Sequence, residues 1–596
     1  TIDRGIIGFD SQDPHTNRVI SDVIDLTAFS ATDPAFYLGT ATNVTLSGNI
    51  VLPGNATDYR FAGYKGGSLI INSVLANGEN DLGVVIGDQN AVATFGHEFA
   101  GTQEAVTSSV RLEGANTYSG GTRIEAGELI ITNNASLGTG PVTVDGESGG
   151  FTDAVMFGYH LSGSDDFDFR SPRLSPDASD LTIANAFQID SFLEIDVQIA
   201  LTDENLTLSG DISGNGGIDK NGNGTLNLNG DNSGFDGGLY ISEGTVNINT
   251  DSAAGSGPVG FGGGGSGSGQ NLNFTTMSPV IGGLYEVDNN DDDDYSYSNA
   301  NVQLASGSTL TIDVENNFFL DFGGSITGDG AVRLEGQGVQ SLSGYNSFTG
   351  GLEIAAGANL VASDTGSLGG SYPDPPAVTL DGGFLTLNLD DESTIEADIS
   401  FGPNGGEIRG NGGLNVGDGL TIGAGAGISP GRSIGKIEFE GALNLGELGS
   451  LTVEIGDGNN DEVISDIVFA DNINITASSA SPFSIYLLGE DGDLPTNFDA
   501  KQAYSWSVLL SGTTLTNFDA QVFNLSISSS VASLTADGIW AVQLGSSGDS
   551  FGETFLTNNT VMVSFTPVPE PSTFALVGLG LILVTFRAGR RRRPAA

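Results

Sequence analysis

Three times along this chain the same frame returns. It runs Asn, an aromatic residue two or three places on, Gly-Gly, an alternating apolar-polar run, Gly, a second alternating run, then Gly-x-Gly-Pro-Val or a variant of it. The copies are "NTYSGGTRIEAGELIITNNASLGTGPVTVDG" at 116–146, "NSGFDGGLYISEGTVNINTDSAAGSGPVGF" at 232–261, and "NSFTGGLEIAAGANLVASDTGSLGG", continuing to "PPAVTLDGG", at 346–383. Related lead-ins, "ISGNGGIDKNGNGTLNLNG" and "ITGDGAVRLEGQGVQSLSG", precede the second and third copies. Alternation over five to seven positions puts successive side chains on opposite faces of a strand. The Gly, Asn and Asp clusters between runs are turn chemistry. A unit of two or three short strands cannot enclose a core, so it must bury one face by stacking on the next unit. The frame thus predicts an all-β fold, a right-handed parallel β-helix (solenoid).

Composition narrows the function. The chain has 596 residues, a formal net charge of −55 and no cysteine. Such a charge repels nucleic acid and anionic lipid and favours cations. No nucleic-acid partner is expected. Without thiols there are no disulfides, no thiolate metal sites and no cysteine nucleophile.

Composition also suggests boundaries. Residues 1–442 are assigned to the β-helix, with a break over 150–200 around "GSDDFDFRSPRLSPDASD" and a flexible loop at "GFGGGGSGSG". The pattern changes near Leu443, and both tryptophans, Trp506 and Trp540, lie beyond it, so 443–566 reads as a C-terminal β region that caps the solenoid. Residues 567–596 form a separate tail.

The search for chemistry finds little that converges. His15, His97 and His160 form no pair at metal-ligand spacing. A carbohydrate-active β-helix would need two or three carboxylates in a groove, for which Asp165, Asp166 and Asp168 are the candidates. In a chain with 74 carboxylates such a cluster arises without selection. No cofactor is expected, apart from calcium as the candidate ion: Asp457, Asn459 and Asp461 have the alternating oxygen spacing of the first half of a calcium loop, without its glycine and distal glutamate. The run Asp291 to Asp294 would hold cations only diffusely. The chain is therefore expected to be non-catalytic.

The tail, "VPEPSTFALVGLGLILVTFRAGRRRR", differs from everything before it. Pro569, Glu570 and Pro571 form an extended triplet that two prolines keep out of any helix. Phe574 to Phe586 is a 13-residue run without charge. As a helix it spans about 20 Å, short of the roughly 30 Å hydrocarbon core of a membrane. Five of the nineteen basic residues follow in Arg587, Arg590, Arg591, Arg592 and Arg593. Arginines stay cytoplasmic, so the acidic body would lie outside. A short C-terminal transmembrane helix on an exported chain is the expectation, and the start at Thr1, with no Met and no apolar leader, is read as a chain given without its signal peptide.

Two resemblances follow from these residues. The triplet, apolar run and arginine cluster resemble the PEP-CTERM sorting signal in order and spacing. That resemblance implies recognition by an exosortase, removal of the helix from a precursor anchored in the inner membrane, and association with exopolysaccharide and biofilm. The "NTYSGGT" frame resembles the autotransporter-associated β-strand repeat of large exported bacterial surface proteins. The second copy departs from it with Ala254-Gly255 in place of Leu-Gly, and the third splits its Pro-Val element with "SYPDP". The segment "ISPGRSIGKIEFEGALNLGELGSLTVEIG" from Ile428 resembles the element that often follows such repeats. Together they imply an exported structural or adhesin-like protein of the cell surface or extracellular matrix, with extracellular polysaccharide among its partners. The competing expectation is a β-helical polysaccharide lyase or glycoside hydrolase, which a groove of paired carboxylates beside Arg or Lys would favour.

Overall fold

Through most of the described residues, short strands stack in parallel, coil upon coil. The computed structural model describes residues 5–9, 17–28, 36–63, 67–87, 109–145, 172–196, 205–262, 269–287, 299–370, 374–390, 393–431, 434–456, 465–489, 498, 501–529, 531, 538–545, 550–551, 554–555 and 559–567. The chain divides into two compact units, Thr1–Leu385 and Thr386–Ala596.

Three long parallel sheets carry most of the first unit. One has nine strands, from Gly5–Gly8 to Gly234–Phe235; a second has eleven, from Arg18–Ile20 to Leu284–Glu286; a third has seven, from Asp180–Ile183 to Ser325–Gly328. A fourth begins at Val280–Ile281 and passes through Thr309–Val314, Ala331–Gly336 and Leu352–Ala355. Consecutive strands of a sheet come from consecutive coils, the architecture of a parallel β-helix. In the third sheet Leu206, Leu226, Val246, Leu272, Val302 and Ile326 occupy one register column, all fully buried. Burying such a side chain is worth about 1.5–3 kcal/mol, and every coil adds several. The break expected over 150–200 does not extend over 172–196, and the rest of that range lies outside the described residues. Residues 172–196 supply four strands, Arg173–Pro176, Asp180–Ile183, Phe187–Ile189 and Leu193–Asp196, in regular register with their neighbours.

The repeat frame explains itself in this geometry. Its asparagine points inward and ties three successive coils together. Asn232 Oδ1 accepts from the Ile212 amide at 2.7 Å, one coil back, and its Nδ2 donates to the Ala253 carbonyl at 2.6 Å, one coil on. Asn346 does the same with Ile326 (2.7 Å) and Ser367 (2.9 Å), and Asn116 with Leu75 (2.8 Å) and Ser136 (2.7 Å). All three are at most 2% exposed. The aromatic residue of the frame, Tyr118, Phe235 or Phe348, is buried beside this clamp. Ala254-Gly255 keeps the geometry of Leu-Gly: Ala254 is buried as Leu137 and Leu368 are, and Gly255 has φ +77°. A Cβ on Gly255 would lie 2.3 Å from the Phe235 carbonyl oxygen, so only glycine fits. At the Gly-Gly pair, a Cβ on Gly237 would lie 1.8 Å from the Gly216 oxygen of the preceding coil.

The second unit keeps the parallel pattern and then abandons it. Gly406–Asn415, Lys436–Leu445, Ile467–Ile475 and Tyr504–Thr516 follow one another in parallel, as do Ala426–Pro430, Ser450–Ile455, Phe483–Gly489 and Phe523–Ile527. Thr560–Pro567 then pairs antiparallel with Tyr504–Thr516, and Gly538–Leu544 antiparallel with Thr560–Pro567. The rings of Tyr504, Trp506, Trp540 and Phe565 gather around Phe498, with Trp506 and Trp540 stacked at 5.6 Å. The boundary expected at 442/443 falls within the strand Lys436–Leu445, whose register shifts between Phe439 and Ala442. Among the described residues no helix is long and apolar enough to cross a membrane, and the apolar run 574–586 lies outside them.

The clamp makes a measurable claim. Asn232→Ala leaves the Ile212 amide and the Ala253 carbonyl buried without their partner, each worth about 1–3 kcal/mol. Urea denaturation should show a loss of about 2–4 kcal/mol, against less than about 1 kcal/mol for Asn229→Ala on the exposed surface. Equal losses would show that the clamp does not hold the coils.

Candidate functional site

Outward positions, not the repeat residues, are where this fold can meet a partner. Two outward surfaces of the first unit stand out, and they have opposite character. On the eleven-stranded sheet, register aligns Glu128, Arg173, Glu194, Asp219, Tyr240, Gly260 and Tyr285 in one column. Arg173 Nη2 lies 2.7 and 2.9 Å from the two carboxylate oxygens of Glu194, and Asn221 Nδ2 donates to Glu194 at 3.1 Å. Asp219, only 7% exposed, accepts from Ser242 Oγ at 2.7 Å. Burial pushes its carboxyl up to about 6, with Glu194 adding to the rise, while the Ser242 hydrogen bond, Lys220 and Arg173 oppose it. Burial, with the charge of Asp219 nearby, likewise raises the phenols of Tyr240 and Tyr285. Tyr285 lies across Gly260, where a Cβ would stand 2.3 Å from its ring. Chemically, the column pairs a carboxylate held by a guanidinium with a second carboxyl that exchanges its proton near pH 6.

The third sheet presents a different surface. One outward column runs Asn205, Thr225, Thr245, Asn271, Asn301 and Ser325. The next runs Thr207, Asn227, Asn247, Asn273, Gln303 and Thr327. Apart from Asp180, which heads the first column on the sheet's first strand and accepts from Asn205 Nδ2 at 2.9 Å, neither contains an ionisable group. The second column is hydrogen-bonded from Thr207 to Asn273: Asn227 Nδ2 donates to Thr207 Oγ1 at 3.4 Å, Asn247 Nδ2 to Asn227 Oδ1 at 2.8 Å, and Asn273 Nδ2 to Asn247 Oδ1 at 2.9 Å. A parallel ladder lies just past the strands, from Thr275 Oγ1 to Asn249 Oδ1 and from Asn249 Nδ2 to Asn229 Oδ1, both at 2.7 Å. The neighbouring fourth sheet shows the contrast, because there Arg333 sits between Glu335 and Glu353.

The residues singled out in the sequence lie elsewhere. Asp165, Asp166 and Asp168, the three histidines, Asp291 to Asp294, the candidate calcium residues Asp457, Asn459 and Asp461, and the tail from Val568 on, with Pro569, Glu570, Pro571 and its arginines, fall outside the described residues. Among the described residues no group of three or more His, Asp or Glu side chains gathers as metal ligands. Sequence reading missed both surfaces described above. The neutral one had a signal: "TLNLNG", "TVNINT", "NLNF" and "NVQL" put Asn, Thr or Gln at their polar positions. The Glu194–Asp219 neighbourhood had none, because 25 residues separate its partners and only register joins them.

Comparison with known proteins bears on the tail and the repeats. The PEP-CTERM protein-sorting motif matches residues 567–593. The passenger-associated-transport repeat matches 107–131, 218–248 and 335–358, in each case from the lead-in through the clamp asparagine and the Gly-Gly pair. Over 350 residues the chain is 28% identical to the adhesin BmaC autotransporter of Brucella suis biovar 1 (strain 1330). That match covers 57% of this chain and 10% of the relative, so the chain spans only a small part of that protein's length. The sorting motif and the passenger-type repeats together mark the chain as an exported cell-surface protein.

Proposed function

We propose that this chain is a non-catalytic structural or adhesin-like component of the bacterial surface or extracellular matrix, sorted by an exosortase that acts at its tail. The observation that carries this reading is the conjunction of a sorting motif with passenger-type repeats whose defining residues, the clamp asparagines and their glycines, serve the scaffold itself. The word adhesin in the relative's name agrees with it. A precursor would be held by the apolar run with Arg590, Arg591, Arg592 and Arg593 inside, presenting Pro569-Glu570-Pro571 at the outer face. Association with biofilm polysaccharide belongs to the same reading.

A second reading, a β-helical polysaccharide lyase or hydrolase, draws on the Glu194–Asp219 pair beside Arg173. Adjacent strands lie about 4.8 Å apart, near the carboxylate separation of retaining glycosidases. Against it, Arg173 and Asn221 already engage Glu194, and Asp219 is buried beneath its neighbours. We therefore assign the column to holding coils together.

Three experiments test these assignments. Mass spectrometry of surface-released protein should recover no peptide from "FALVGLGLILVTFR", while Glu570→Ala should insert normally and remain unprocessed. Recovering that peptide from mature protein would make the tail an ordinary anchor. The second uses Asp219. The folded chain keeps this carboxyl protonated up to about pH 6, whereas the unfolded chain releases the proton near pH 4. Its ionisation therefore removes stability as pH rises from about 4 through about 6. Asp219→Asn retains an acceptor for Ser242 and avoids that loss. The variant should be more stable than the parent at pH 8, by up to about 3 kcal/mol, and no more stable at pH 3.5. Parent protein should release no reducing ends or unsaturated uronates from polysaccharides; release abolished by Asp219→Asn would establish the enzyme instead.

A further inference from the structure

We infer that the neutral face of the third sheet binds an uncharged polysaccharide chain. The inference rests on the matrix reading above and names the chemistry of the partner. Charge supplies the first argument. At −55 the chain repels anionic polymers and other copies of itself, yet beyond Asp180 at its first strand this face carries no ionisable group in twelve aligned outward positions over the six coils that follow. The outward surfaces of the second and fourth sheets carry Arg173, Glu194 and Asp219, and Arg333, Glu335 and Glu353. A charged partner would be drawn to those, and a neutral one loses nothing on this face.

Hydrogen-bonding capacity supplies the second. An Asn amide has two donor hydrogens and an oxygen with two lone pairs. In Asn247 the ladder engages one donor, to Asn227, and one acceptor site, from Asn273. The remaining valences face outward together with the hydroxyls of Thr225 and Thr245. Sugar hydroxyls both donate and accept, as these groups do. Because the ladder already fixes the amides, binding orders few side chains and little rotamer entropy is lost. The coil repeat of about 4.8 Å is comparable with the length of one sugar residue in an extended glycan. Consecutive coils then offer the same contact to consecutive sugars, and weak contacts add through multivalency.

Affinity electrophoresis of the purified full chain in mild detergent tests this, with native gels holding hydroxyethyl cellulose, dextran, pullulan or, as the anionic polymer, alginate. The expected result is retardation by at least one neutral polymer and none by alginate. The double variant Thr225→Val, Thr245→Val preserves β-branched shape while removing two hydroxyls, and Asn247→Leu removes the central amide. Each should weaken binding about tenfold, equivalent to about 1.4 kcal/mol, with circular dichroism and melting temperature of the Val variant unchanged. Thr311→Val on the fourth sheet should bind as the parent does. No retardation by any neutral polymer, stronger retardation by alginate, or full retention of binding in the Val variant would overturn the inference. So would self-association that these substitutions abolish, since the face would then meet a second copy. Surface labelling of intact cells reports the matrix reading independently of the gels.

Discussion

Everything in the first unit depends on one inward hydrogen-bonding group, the clamp asparagine. A parallel stack is held along its axis by backbone bonds within each sheet, but a corner between sheets interrupts them and leaves amides and carbonyls facing the core. A buried group left that way costs about 1–3 kcal/mol. The primary amide offers both a donor and an acceptor at one position, so Asn232 satisfies the coil before it and the coil after it at once. A Ser or Thr hydroxyl also donates and accepts, but from one oxygen on a shorter arm, and Asp would bring a charge into the core with no donor. The repeated Asn is therefore the residue this corner demands.

Other buried polar groups solve the same problem where the frame is absent. Lys220 is fully buried in a strongly acidic protein, and backbone carbonyls hold its ammonium inward. It donates to the carbonyls of Asn221, Gly222 and Glu243 at 2.5–3.1 Å, one for each of its protons. Gln340, also fully buried, exchanges bonds with the Leu284 backbone in both directions, at 3.0 and 2.8 Å, and donates to Leu320 as well. Outside, arginines bridge coils by standing between carboxylates, as Arg111 does between Glu113 and Asp177 and Arg333 between Glu335 and Glu353. Exposed pairs of this kind are individually worth about 0–1 kcal/mol. Their use here is to relieve repulsion among stacked acids.

The class of the fold was legible because alternation and glycine corners are local signals. "GTLNLNG" and "GTVNINT" become Thr225–Leu228 and Gly244–Ile248, paired residue for residue. The assignment of sequence breaks was weaker, because composition reports polarity and not register. "RSPRLSPDASD" looked irregular, yet it contains Arg173–Pro176 and opens Asp180–Ile183, both in register with their neighbours. The change near Leu443 coincides with a register shift inside one strand. The candidate site was the least legible part. Whether Asp219 meets Glu194, or Asn247 meets Asn227, depends on coil lengths of about twenty to twenty-six residues, which no local pattern fixes.

This separation also determines what a family resemblance can say. Within the span that matches the passenger-type repeat, Asn232, Phe235, Gly237 and Gly238 face the core or the backbone of a neighbouring coil. They specify how to stack and nothing about what is bound. The outward positions of the same matched span, Thr225, Asn227, Thr245 and Asn247, are free of that duty, since any β-compatible residue there would leave the core intact. Scaffold and address are thus written in inward residues and in the tail. The chemistry of the partner is written in outward ones, where this chain has placed amides and hydroxyls on one sheet and ion pairs on its neighbours. A surface protein built this way can change its ligand by changing one face, without disturbing the stack that carries it.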